Sequence, residues 1–76
     1  MRYIIEHRNG ERTERRQGPA AHRALLQAAY DMIRAHACLD TRFGHAIYAA
    51  AEEAEFSDEV QSLAMYGSEL TYWKES

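Results

Sequence analysis

This chain predicts a small α+β fold in which two central helices pack on one face of an antiparallel sheet, in the order β(β)-α-α-β-β. Three observations carry that expectation. An alternating apolar run at the N-terminus closes on Asn9-Gly10, a 3.6-residue apolar period runs through the middle, and period-two alternation returns around Gly67-Ser68. With 76 residues, 46% of them apolar and 28% charged, residues 1–76 read as one compact domain without an interdomain linker.

Residues 2–8 form the first expected strand, with Tyr3 and Ile5 on one face and Ile4 on the other. Asn9-Gly10 suits a type I′ turn, because both residues tolerate positive φ. Residues 11–17 carry no large apolar side chain, so the sequence leaves open an edge strand or a basic loop. Gly18-Pro19 ends that segment, and proline fits the first turn of a following helix, where its missing N–H is not needed.

The first helix is expected from about Ala20 to Leu39. Ala21, Leu25, Leu26, Ala29, Met32, Ile33 and Leu39 share its apolar arc, opposite Arg23, Gln27, Asp31 and Arg34. A second helix is expected over Arg42–Glu55, capped by Asp40 or Thr41, with Phe43, Ala46, Ile47, Ala50 and Ala54 facing inward. Gly44 weakens its first turn. Glu52, Glu53 and Glu55 place the wrong sign of charge at its C-terminus, which predicts fraying unless a basic group lies nearby. Residues 60–66 and 69–74 then pair around a type II′ turn at Gly67-Ser68. That register sets Met65 opposite Leu70 and Leu63 opposite Tyr72 on the core face, with Tyr66, Thr71 and Trp73 on the other.

Charge reverses along the chain. Residues 1–23 hold six arginines against three glutamates, whereas residues 40–76 hold Arg42 and Lys74 against eight carboxylates. Such asymmetry orients a macromolecular partner but supplies no chemistry. Cys38 is the single cysteine, so no intrachain disulfide forms. The N-terminus reads as no secretory signal and nothing approaches a membrane span, which predicts a cytoplasmic setting without membrane contact.

The residues that could carry chemistry do not assemble into a motif. His22 and His36 share a helical azimuth but lie about 21 Å apart at 1.5 Å per residue, too far for one ion. His36 and Cys38 point in different directions on a helix. The chain has no Gly-rich phosphate loop, no His-Glu-x-x-His and no CxxC pair. The expectation is a non-enzymatic protein with no cofactor and no metal.

Binding is the better reading. Glu52, Glu53, Glu55, Asp58 and Glu59 surround Phe56, an acidic segment suited to a basic protein or macromolecular-complex surface. Tyr66 and Trp73 are the candidate aromatic anchors, while Phe56 either joins them or closes the core. An alternative assigns nucleic-acid binding to Arg8, Arg12, Arg15 and Arg16. Glu6, Glu11 and Glu14 interrupt that run, and the acidic half opposes a duplex. A homo-oligomer with aromatic residues covered between copies is the third reading. Arg12, Arg15 or Arg16 folding onto Glu52–Glu59 would instead make an internal brace.

In general plan, Tyr3–Glu75 resembles small phage or mobile-element proteins, including some anti-CRISPR inhibitors. The resemblance implies a binder of bacterial defence machinery that blocks a nucleic-acid or partner surface. It carries no diagnostic motif, and it transfers no site to a numbered residue.

Overall fold

A computed structural model describes residues 2–18 and 21–75. Strands β1 (Arg2–Asn9) and β2 (Arg12–Gly18) form an N-terminal hairpin. Helices α1 (Ala21–Ala35) and α2 (Arg42–Glu52) follow, and strands β3 (Gln61–Met65) and β4 (Ser68–Glu75) form a second hairpin. All neighbours in the sheet are antiparallel, and the spatial order is β2-β1-β4-β3. The expected β-β-α-α-β-β plan is realised, and residues 12–18 are a strand at the sheet edge. The Pro19 turn, the helix start at Ala20 and the side chain of Ala21 lie outside the described residues.

Alternation decides which side chains meet the helices. Ile5 on β1, Met65 on β3 and Leu70 and Tyr72 on β4 pack against Leu25, Ala28, Ala29, Met32 and Ile33 of α1 and Ile47 and Ala51 of α2. Each large aliphatic side chain buried there contributes about 2 kcal/mol relative to exposure. Ile4 points to the opposite face yet is also fully buried, beside its cross-strand neighbour Trp73. No described helix is long and apolar enough to cross a membrane.

Both turns differ from expectation. Asn9 pairs with Arg12, so Gly10 and Glu11 are the central residues of the first turn. Gly10 has φ +63 while Glu11 is not among the positive-φ residues, the pattern of a type II′ turn. In the second hairpin Met65 pairs with Ser68, Leu63 with Leu70 and Gln61 with Tyr72. This register is two residues away from the expected one. Tyr66 and Gly67 form the turn, with φ 43 and 85, which are type I′ values. A two-residue slip preserves the pleat, so the core face is as expected although the partners are not.

Both helices are shorter than their apolar periods. At the end of α1, Cys38 N–H donates to the Ile33 carbonyl (3.1 Å) and Ala37 N–H to the Arg34 carbonyl (3.0 Å), a Schellman closure. Its left-handed residue is Ala37, at φ 54. Leu39 therefore leaves the helix and is exposed, while Cys38 is buried. Thr41 caps α2 by accepting from Gly44 N–H (3.0 Å). The buried stripe of α2 is Gly44, Ile47 and Ala51. Phe43, Ala46 and Ala50 are exposed. The rotation has a steric cause: a Cβ on Gly44 would overlap the Cys38 carbonyl oxygen and lie 3.0 Å from Ile33 Cγ2. Glycine lets α2 approach the corner, and that approach turns Phe43 outward.

Two stability outcomes follow from this corner. Gly44→Ala gains about 1 kcal/mol of helix propensity but overlaps backbone. It should lower the urea-denaturation stability by a net of about 2 kcal/mol. Ala37→Gly removes the left-handed penalty and should raise that stability by about 0.5–1 kcal/mol.

Candidate functional site

The acidic segment is held rigidly from beneath. Phe56 packs edge-on between Tyr3 and Tyr72, with both ring centroids 5.3 Å away. It is therefore a clamp on the core side and not a surface anchor. The Ser57 carbonyl accepts from Lys74 N–H at 2.9 Å, which ties the segment ahead of β3 to strand β4. Ser57 Oγ accepts from Glu59 N–H at 3.3 Å and tightens the following bend. Above this footing Glu52, Glu53, Glu55, Asp58 and Glu59 are all exposed.

Those carboxylates take part in no ion pair among the described residues. The ion pairs among the described residues are Arg8–Glu69 at 2.9 Å and Arg16–Asp31 at 3.6 Å. The internal brace from Arg12, Arg15 or Arg16 to Glu52–Glu59 is not formed among them. The last turn of α2 has no basic residue, and its C-terminal dipole repels Glu52 and Glu53. The helix stops at Glu52, three residues short of the expected Glu55, with Glu53 as its C-cap.

The aromatic candidates lie elsewhere. Tyr66 is 70% exposed at the tip of the second hairpin. It meets Phe43 edge-on at 5.5 Å and His36 at 5.7 Å. Beneath it Ser68, only 2% exposed, donates to Asn9 Oδ1 (3.0 Å). Its single proton is thereby used, so the 3.0 Å contact with His36 Nε2 requires the ring to donate. An open cleft of about 510 Å³ runs from Phe43 and Tyr66 to Arg8 and Glu69. Trp73 lies on the sheet face away from the helices, half-buried, with the Arg15 guanidinium 5.9 Å from its ring centroid. Its Nε1 donates to Glu75 Oε1 at 3.2 Å. The five residues of β3 separate the acidic segment from Tyr66, roughly 17 Å at strand rise. Within one copy the expected acidic and aromatic residues occupy three places.

The basic candidates are divided as well. Strand alternation sends Arg8 and Arg15 to the open sheet face and Arg12 and Arg16 to the helix side. Arg8 is tied to Glu69, Arg15 rests over Trp73 and Arg16 reaches Asp31. They do not line one surface.

Two features had no clear signal in the sequence. An apolar groove of about 280 Å³ opens between the helices, lined by Tyr30, Ile33, Leu39, His45 and Tyr48. It exists because Leu39 leaves α1 and Gly44 draws α2 inward. The Asn9–Ser68–His36 network joins residues as many as 59 positions apart, and only the hairpin register brings them together. Among the described residues no group of three or more His, Cys, Asp and Glu side chains is placed to hold a metal ion.

The fold defines a two-layer α+β class of small protein. The chain shows no match to any family model, curated protein or solved structure.

His7 responds to this environment. It lies between Glu14 on β2 and Leu70 on β4, with Nε2 buried and without a hydrogen-bond partner among the described residues. Desolvation pushes its pKa below the ordinary 6.5, and the charges of Arg16 and His36 push the same way, while Glu14 and Asp31 oppose them. The unfolded chain therefore takes up the proton first. Stability from this group is full above about pH 6.5 and falls as pH drops toward the lower folded value. His7→Gln should flatten that acid-side decline, measured by urea denaturation across the same pH range.

Proposed function

We propose that this protein is a non-enzymatic binding module that engages a basic protein surface through Glu52, Glu53, Glu55, Asp58 and Glu59. One observation carries the reading. Five exposed carboxylates stand on this segment with no ion pair among the described residues, and Glu52 and Glu53 oppose the dipole of α2. Local folding would favour the opposite charge there, so a partner's cations are the natural complement. The exposed Tyr66 end offers apolar contact at a distance from that charge.

The resemblance in overall plan to small phage and mobile-element inhibitors makes bacterial nucleic-acid-processing and defence complexes the first partners to test. The basic channels of such complexes match an acidic segment in sign, and blocking one needs no catalytic group.

The test separates binding from folding. After affinity capture from the host identifies a partner, association of the Glu52→Lys/Glu53→Lys/Glu55→Lys variant is timed at low and high salt. Association at low salt should slow at least about tenfold, because charge steers encounter. Thermal stability should stay level or rise, since lysine suits a helix C-terminus. Unchanged association at low salt overturns the electrostatic assignment.

A further inference from the structure

We propose that this protein pairs with a second copy of itself through the solvent face of α2, the two helices running antiparallel about a two-fold axis midway between the levels of Ile47 and Tyr48. That face is Arg42, Phe43, Ala46, Ala49, Ala50 and Glu53, all of them exposed. Their spacing of i, i+1, i+4, i+7, i+8 and i+11 puts them on one side of the helix. Gly44, Ile47 and Ala51, through which α2 meets α1 and the sheet, lie on the other side and leave this face open. A solvated helix face usually carries charged and long polar side chains along its length. Here charge is confined to the two ends, and between them stand alanines and the Phe43 ring, 42% exposed.

The charges select the occupant. The face is basic where α2 begins and acidic where it ends, and neither Arg42 nor Glu53 has an ion pair among the described residues. Such a face is complementary to itself when turned end for end. An antiparallel copy sets Arg42 against Glu53 of the second copy, and the two-fold axis repeats the contact. A parallel copy would set arginine against arginine and glutamate against glutamate. Pairing also answers a charge that α2 tolerates badly alone. Glu53 sits at the negative end of its own helix dipole, and the antiparallel neighbour brings the positive end of a second dipole beside it.

Register follows from the same pair. With Arg42 opposite Glu53, Ala46 falls opposite Ala49 of the second copy. Small side chains then meet at the centre, and the helix axes approach to about 8 Å, the close end of the usual range. A shift of one turn sets Arg42 opposite Ala49 or Ser57 and loses both charge contacts. Phe43 flanks the contact on its β3 side, where it already meets Tyr66, and closes that margin from water. Asp40 and Glu55, the like charges nearest to each other across the axis, lie beyond the two helix ends. A helix of 11 residues is about 16 Å long. One such pair covers less than the roughly 1,200 Å² of a stable dimer, so the association is transient and needs high concentration.

The pairing goes beyond the protein-binding reading and does not rest on it. Consecutive residues are about 100° apart on a helix, so Glu52 points away from the contact that Glu53 makes. Glu52, Glu55, Asp58 and Glu59 stay open to a basic partner in the paired form.

Sedimentation velocity on the full chain, from micromolar to millimolar, should show the mass rising from 8.8 kDa toward twice that value. Arg42→Glu should weaken association at least about tenfold, and so should Glu53→Arg, because each sets like charges together twice. The double variant Arg42→Glu/Glu53→Arg restores both contacts in reverse and should recover most of the association. Each substitution suits the dipole at its own end of α2, so all three variants keep their fold. In the unaltered protein the Ala46 and Ala49 amide resonances should move with concentration, while that of Thr13 on the β2 edge should not. A single-copy mass throughout overturns the proposal, and so does association that Arg42→Glu spares or that the double variant fails to recover. Resonances of Ala46 and Ala49 that are independent of concentration overturn it too. Arg42→Glu leaves all five carboxylates in place, so its binding to a basic partner reads the protein-binding proposal separately from the pairing.

Discussion

The Cys38 carbonyl is the point on which the two helices turn. It accepts from Thr41 N–H at 3.2 Å and from Thr41 Oγ1 at 2.9 Å, and it faces the bare Cα of Gly44. The Schellman closure at Ala37 delivers the carbonyl there, and Thr41 Oγ1 also caps the first turn of α2. One short corner thus ends α1, starts α2 and sets how closely they pack. The direction of α2 then fixes where Phe43 emerges, where the acidic segment begins and how Phe56 reaches Tyr3 and Tyr72. A side chain at position 44 would push these features out of place together.

The sheet converts a charge reversal along the chain into pairing across strands. Glu6 lies opposite Arg15, His7 opposite Glu14, Arg8 opposite Glu69 and Arg2 opposite Glu75. Opposite charges at such positions are each worth a fraction of a kcal/mol, so this is mainly a matter of tolerated register. Of these positions only Arg8 and Glu69 form an ion pair among the described residues, Arg16 reaches Asp31 on α1, and Glu52–Glu59 enters no ion pair among them.

Element type was legible wherever a period repeated. Alternation in Tyr3–Ile5 and Leu63–Tyr72, and the alanine-rich period from Leu25 to Ile33, each placed the correct face toward the core. Turn chemistry was less legible. Tyr66 occupies a left-handed position that sequence reasoning reserves for glycine or asparagine, and Asn9 stands outside the turn, where its side chain accepts from Ser68. The acidic segment was visible as composition, but nothing local revealed that Phe56 would be drawn under it or that Tyr66 and Trp73 would lie elsewhere.

By itself the sequence determined the order of elements apart from β2, the faces of the strands, most of the core of α1 and the absence of an intrachain disulfide. These depend on residue type and on periods of two or 3.6, which are local properties. Tertiary structure alone decided the two-residue hairpin register, the rotation of α2, the Asn9–Ser68–His36 network and the division of the candidate surface. Each of those depends on a close approach between residues distant in the chain. The overlap a side chain at Gly44 would make with the Cys38 carbonyl has no signature until the corner is folded.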